Sequence, residues 1–328
     1  MLRTSNARGT EEAPVAEHVN VDNFRAAETA RLFDDSLKLM GGTNQWFHFR
    51  RPAGAENQPV IRMNRDTLYS AAIVDISKGA SVTLPDAGDR YMTVMVVNSE
   101  HYINRVFSGP GTYDLTVDEH ETPFVNLSAR TFVNPVSSDD AGEVNRLQDG
   151  LVISANSSQP FTHPDFDEQS LNSTRDALLA LSEGLPNSDR TFGSRTQVDP
   201  TRHLIGTAFG WGGLPESEAY YYIESQPMPA GRYTFTLDRV PVDGFWSVTI
   251  YNRDGYLEPN TYDSYNLNGV TSQPEPDGTV VLNLSPEGAG LKNHLFVMDG
   301  WNYALRLYKP QQSVLDKTWI PPIPVAVV

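Results

Sequence analysis

Over most of this chain apolar residues alternate with polar ones, as they do in half-buried strands; helical spacing appears only in short stretches. The first such stretch follows Asp22, read as an N-cap, where Ala26, Ala30, Phe33, Leu37 and Met40 share one face and Gly41-Gly42 stops the helix. From about residue 58 the period becomes two. Leu68 to Ile76 and Tyr91 to Val97 read as strands, the second apolar enough to be buried on both faces. Tyr113, Leu115 and Val117 alternate, as do Val125, Leu127, Ala129 and Val133. Turn residues separate these runs: Pro85-Asp86, Gly88-Asp89, Gly109-Pro110-Gly111 and Asn134-Pro135. Short strands without regular intervening helices predict sandwiches rather than a βαβ fold.

The middle of the chain changes character. Ala141, Val144, Leu147 and Leu151 fit a short helix, and Leu171, Thr174, Leu178, Leu181 and Leu185 a longer one closed near Gly184 and Pro186. The proline-bearing loop from Ser157 to Asp167 lies between them as a link. Period two then returns: Tyr233, Phe235 and Leu237; Trp246, Val248 and Ile250; Val280, Leu282 and Leu284; Trp301, Tyr303, Leu305 and Leu307. A proline-rich tail, Ile320 to Pro324, suits an extended path over a surface. The expected organisation is an arm over 1–20, an N-terminal β domain with its leading helix over 21–155, a helical and loop connector over 156–215, and a C-terminal β domain over 216–328.

Length agrees with that division, since 328 residues exceed one ordinary core and suit two domains of roughly 150 each. Hydrophobic residues at 39% and charged residues at 20% describe a globular, soluble chain, and no apolar run reaches the ~20 residues of a membrane span. The net charge of −16 repels phosphate backbones and anionic lipid, so nucleic acid and membrane surfaces are not expected partners. The absence of cysteine removes disulfides, thiolate metal sites and cysteine nucleophiles. Cytoplasm and periplasm stay equally open, and no signal peptide is visible in the first twenty residues.

Asn64-Arg65-Asp66-Thr67-Leu68-Tyr69-Ser70, with the strand Arg90 to Val97, resembles the N-terminal member of a bacterial two-domain family, domain of unknown function 1254. Asp243 to Tyr251, Ala304-Leu305-Arg306-Leu307-Tyr308 and Leu315 to Pro322 resemble its partner, domain of unknown function 1214. Arg202-His203 and Gly210-Trp211-Gly212-Gly213 resemble the region between them, so the likeness covers nearly the whole chain in order. It implies a mainly β fold of two tandem antiparallel β-sandwich or jelly-roll-like domains with a few connecting helices. It implies no activity.

Candidate chemistry gathers in a few places. Arg65 is a planar clamp for a carboxylate or phosphate, oriented by Asp66, with Asn64 and Tyr69 beside it. The competing account makes the same pair a brace at the strand entrance. Glu100 and His101 follow the most buried strand and suit acid–base work if the chain bends there. His203 precedes a glycine-rich run that lets backbone approach something closely, although a lone histidine is commonly a hydrogen-bonded structural residue. Arg306 lies on the face opposite Trp301, Tyr303, Leu305 and Leu307; if that face packs on the first domain, it needs an acid partner. The seven histidines include no compact metal motif, and no phosphate loop, dinucleotide fingerprint or nucleophile elbow is present. No cofactor is named by the sequence.

The leading expectation is binding of a small polar or anionic molecule in a cleft between the two β domains, through Asn64, Arg65, Tyr69 and Arg306. A hydrolase or lyase using Asp66, Glu100, His101 or His203 is the alternative. A structural or assembly protein, self-associating through sheet faces as a homo-oligomer, is a third.

Overall fold

The computed structural model describes residues 16–327 apart from positions 57, 59, 60, 136, 186 and 289. Most of the arm expected over 1–20, and Pro186, therefore lie outside the described residues. From residue 16 the chain is docked: Glu17 bridges Phe166, and Val19 is buried.

Helix α1 (Phe24–Met40) buries Ala27, Ala30, Phe33 and Met40 and ends where Gly41 takes a left-handed φ of 81°. Its N-cap is Asn23 rather than the expected Asp22, and the Asn23 carboxamide bonds back to Glu17, His18 and Asn20 instead of to the helix. Then come β1 (Phe47–His48), β2 (Thr67–Asp75), β3 (Ala80–Leu84), β4 (Met92–Asn98), β5 (Ile103–Ser108) and β6 (Gly111–Leu115). Val117, expected to prolong β6, instead opens the short helix α2 (Val117–His120), because the Thr116 hydroxyl caps Glu119 N–H. Strand β7 (Phe124–Phe132), α3 (Ser138–Asp149) and β8 (Val152–Ala155) complete the first half.

Two further helices follow, α4 (Glu168–Ser182) and α5 (Pro200–Phe209). The second half contains β9 (Ala219–Met228), β10 (Tyr233–Leu237), β11 (Trp246–Tyr251), β12 (Asn266–Asn268), β13 (Val280–Ser285), β14 (His294–Phe296) and β15 (Trp301–Tyr308). It closes with α6 (Gln312–Leu315) and β16 (Val325–Ala326), which pairs with the edge of β10.

These strands form four sheets, in the orders β1-β2-β7-β4-β5, β6-β3-β8, β12-β11-β15-β9 and β14-β13-β10-β16. Every ladder is antiparallel except β13 with β14. The first two sheets pack face to face over Ala72, Val74, Val82, Val94, Val96 and Leu127. The last two enclose Phe235, Val248, Leu282, Trp301, Leu305 and Leu307. A fully buried side chain of this size contributes about 1.5–3 kcal/mol, so each sandwich has a core of its own. Trp246 and Trp301 belong to the second core.

Among the described residues no helix is long and apolar enough to cross a membrane.

Candidate functional site

Side chains alternate across a strand, so the residues between the core positions point to the opposite face of each sheet. In β7 these are Ser128, Arg130 and Phe132; in β4, Met95 and Val97; in β2, Tyr69. In the second half they are Ser247, Thr249 and Tyr251 on β11, Asn266 and Asn268 on β12, Arg306 and Tyr308 on β15, and Tyr221 on β9. The two faces meet. Met95, Val97 and Phe132 pack with Leu214, Ala219, Phe245 and Tyr308 into one apolar cluster across the junction. Beside it lies a polar seam.

The segment before β2 enters this seam. Arg62 N–H donates to the Gly255 carbonyl at 2.8 Å, and Tyr251 Oη donates to the Met63 carbonyl at 2.9 Å. Asp66 is then fully buried, and its Oδ1 accepts from Asn266 Nδ2 at 2.8 Å and Asn268 Nδ2 at 2.9 Å. Its own N–H donates to Asn64 Oδ1 at 2.8 Å. Oδ2 has no hydrogen-bond partner. Burial pushes the carboxyl up from its ordinary range, against the opposing pull of Ser247, Asn268, Arg306 and Asn266. The Ser247 hydroxyl acts on it by proximity, since it too makes no formed hydrogen bond.

Arg306 is buried on the same face. Its Nη1 donates to Thr249 Oγ1 at 2.9 Å, and its Nη2 to Tyr251 Oη at 2.6 Å and the Arg62 carbonyl at 2.9 Å. Burial disfavours its charge, but Tyr251, Tyr308 and Asp66 outweigh that cost and hold it protonated. Asp66 thus answers the need for an acid partner through charge rather than a direct bond. Arg65 lies over the Tyr265 ring at 4.5 Å, and its buried Nε is unpartnered.

Deeper along the seam, Arg130 is 8% exposed. Its Nη2 donates to the Gly212 carbonyl at 2.8 Å, whereas the buried Nη1 has no partner. Its guanidinium sits 5.4 Å over the Tyr69 ring. Asn64 Nδ2 faces three hydroxyls: Tyr308 at 2.9 Å, Thr67 at 3.1 Å and Tyr69 at 3.3 Å. Burial raises the Tyr221 and Tyr308 hydroxyls. Tyr69 moves the other way: burial would raise it, but Arg130, hydrogen bonds from Thr67 and Asn64, and the Arg306 charge hold it below its ordinary value. Asn64, Tyr69, Tyr91 and Tyr221 all keep partial solvent contact. Outside the seam, a cleft of about 620 Å³ opens between the two sandwiches, lined by Arg90, Tyr91, Phe132, Phe245 and Lys309 among others. Tyr91 forms part of its wall and packs on Tyr308 with ring centres 5.3 Å apart.

The structure therefore brings Asn64, Arg65, Asp66, Tyr69 and Arg306 together. Glu100 and His203 lie away from this group, and His101 reaches it only through Gly212, whose carbonyl accepts from Arg130 and whose N–H donates to the His101 ring. The chain does bend at His101, with φ of 66°, but the ring is fully buried between His203 and Trp211 at 5.1 and 5.5 Å. Its Nε2 accepts from Gly212 N–H at 2.9 Å, so Nδ1 carries the proton and donates to Thr207 Oγ1 at 2.9 Å. His203 Nδ1 donates to the Thr191 carbonyl at 3.0 Å. Burial, chiefly, lowers both imidazoles and keeps them neutral. Glu100 meets His203 only through its backbone carbonyl, while its carboxylate faces Arg25 at 3.8 Å. Among the described residues no three His, Asp or Glu side chains cluster as a metal cage requires.

Sequence reasoning passed over Arg130, Tyr221, Tyr251, Asn266, Asn268 and Tyr308. The signal for Arg130 was its place opposite Val125, Leu127 and Ala129 on a strand already recognised, and Tyr308 shares its face with Arg306.

Two family models match the chain, both described as proteins of unknown function: DUF1254 over residues 43–155 and DUF1214 over residues 224–312. No curated protein matches it. The VPA0106 protein of Vibrio parahaemolyticus has a similar solved structure, at a TM-score of 0.72 and 17% identity, covering 94% of this chain and 100% of that one. An uncharacterized protein from Burkholderia cenocepacia is also similar, at a TM-score of 0.53 and 15% identity, covering 93% and 88% of the two chains. At such identities the likeness shows a shared fold alone. With both models matched in order, the chain belongs to the two-domain family that joins domain of unknown function 1254 to domain of unknown function 1214.

Proposed function

We propose that this protein binds a small anionic molecule at the junction of its two sandwiches, with the charged group held by Arg130 among the tyrosine hydroxyls of the seam. The observation that carries this reading is Arg130 Nη1, a buried guanidinium nitrogen with no partner. Leaving a buried charged donor unmatched costs more than the ~1–3 kcal/mol typical of a neutral one, and an oxyanion removes that cost. Charge supports the same reading. Arg65, Arg130 and Arg306 line the seam with Asp66 as the buried carboxylate, in a chain whose net charge is −16.

The test is thermal unfolding of wild type and Arg130→Met in inorganic phosphate and in citrate, with chloride at matched ionic strength as the control. Wild type should gain several degrees from one of the two anions and Arg130→Met should not. Equal behaviour of the two proteins in both anions would refute the proposal.

A further inference from the structure

We propose that this protein self-associates by pairing β9 with the β9 of a second copy, antiparallel and centred on Ile223. The inference is independent of the anion-binding reading above. β9 is an outer strand of the sheet β12-β11-β15-β9, and among the described residues its only ladder is with β15. Lys309 N–H donates to the Glu218 carbonyl at 2.9 Å, and Leu307, Leu305 and Tyr303 stand opposite Tyr220, Tyr222 and Glu224. Antiparallel ladders alternate bonded and non-bonded pairs, so Tyr221 and Ile223 turn their N–H and C=O groups away from β15. Among the described residues no other strand or side chain is bonded to those groups. A row of backbone groups left open in this way is met by another extended strand.

Charge and the fit of the strand to itself name the occupant. A chain of net charge −16 repels its own copies except where its surface carries no charge. The tail beside β9 is such a surface: residues 320–327 hold no charged side chain, and Ile320 and Ile323 are 82% and 68% exposed. Ile320 and Ile223 line one hollow at the open side of the second sandwich, together with Tyr222 and Trp319. Two copies meeting edge to edge cover this apolar surface. Ile223, 50% exposed, then faces the Ile223 of the second copy as an apolar cross-strand pair. The same register sets Tyr222 opposite the Glu224 of the second copy, a hydroxyl against a carboxylate, and keeps the two glutamates from facing each other. No lysine on β9 blocks the pairing, while Pro227 and the register shift between Trp301 and Tyr303 confine it to residues 221–225. A two-fold axis at Ile223 makes the contact isologous, so it closes at two copies instead of growing into a fibre.

The test is sedimentation velocity of the full chain from micromolar to near-millimolar concentration, for wild type and Ile223→Lys, with hydrogen exchange of wild type followed over the same range. Wild type should pass from one copy to two. Ile223→Lys, whose new charge would meet its own twin at the two-fold axis, should stay single. The Tyr221 and Ile223 amides should become protected as the dimer forms. Wild type single at every concentration would overturn the proposal and leave the edge to a strand of a different protein. A dimer whose Tyr221 and Ile223 amides still exchange freely, or one that Ile223→Lys leaves intact, would overturn it by placing the contact elsewhere. Should Ile223→Lys fail to fold, the exchange of those two amides in wild type decides the matter alone.

Discussion

Asp66 Oδ1, just before β2, accepts a hydrogen bond from Asn268 Nδ2 at 2.9 Å, across 202 positions of sequence and between the two sandwiches. With Asn266 on the same oxygen and Arg306 nearby, it forms the centre of a buried network in which no member is independent of the others.

Removing this carboxylate should cost more than neutralising it. Asp66→Ala leaves two buried amides unmatched and Arg306 without its countercharge, at a cost of about 3–5 kcal/mol. Asp66→Asn keeps an acceptor and should cost about 1 kcal/mol. Because burial raises this acid in the folded state, its contribution is full below the unfolded value near 3.9 and is lost as pH rises through the folded value. Asp66→Asn removes that loss. A double-mutant cycle with Arg306→Met, read by urea unfolding, should give a coupling of about 1–3 kcal/mol. Additive effects would show that Asp66 and Arg306 do not sense each other.

Acid should weaken the protein through its stacked histidines. His101 and His203 are both depressed in the folded state, so their contribution is complete above the unfolded value near 6.5 and drains away below it. Each adds a slope of up to about 1.4 kcal/mol per pH unit. Replacing His101 by Asn should shrink the stability change between pH 7 and pH 5; an unaltered slope would mean the ring does not stay neutral on folding.

At lower pH a different group takes over. Burial would raise Asp75, but hydroxyls of Ser157 and Ser77 and the N–H groups of Gln159 and Ser77 bring it down to about 2. That stability is present above the unfolded value near 3.9 and is lost as pH falls toward 2. Asp75→Asn should therefore cost up to about 2 kcal/mol at neutral pH and little at pH 2. Carbon-detected NMR titration of the carboxyl checks the premise, and an ordinary value near 3.9 would contradict it.

The close approach of α5 to the preceding loop should not tolerate a methyl group. A Cβ at Gly206 would lie 2.1 Å from Thr191 Cγ2, so Gly206→Ala should destabilise by about 1–3 kcal/mol despite its better helix propensity. A neutral or stabilising result in denaturant unfolding would show that the loop yields.

That same glycine explains a blind spot in the sequence. Residues 206–213 have the composition of a glycine-rich connector, yet Asp199 accepts from Thr201 and Arg202 N–H at 3.0 Å each and Pro200 opens a helix. The cap and the proline were visible; the glycines, placed for contact, outweighed them. The strands β2, β7, β11 and β15 announced themselves through alternation, and with them the positions of Tyr69 and Arg306. Asn266 and Asn268 stayed hidden because a three-residue strand shows no period. Arg130 was missed because alternation marks two faces without saying whether the second meets water or another sheet. The pairing of Arg306 with Asp66, 240 positions apart, depends on that tertiary choice.

A seam of amides, hydroxyls and guanidinium groups also governs what else can dock there. An ordinary apolar surface laid against Ser247, Asn266, Asn268 and Arg306 would strand their donors without relief. The second sandwich is therefore selective for a mate that brings a carboxylate to one place, and its own N-terminal half supplies it. While nascent chains crowd together, such a face discourages greasy strangers from sticking and rewards the one neighbour tethered to it.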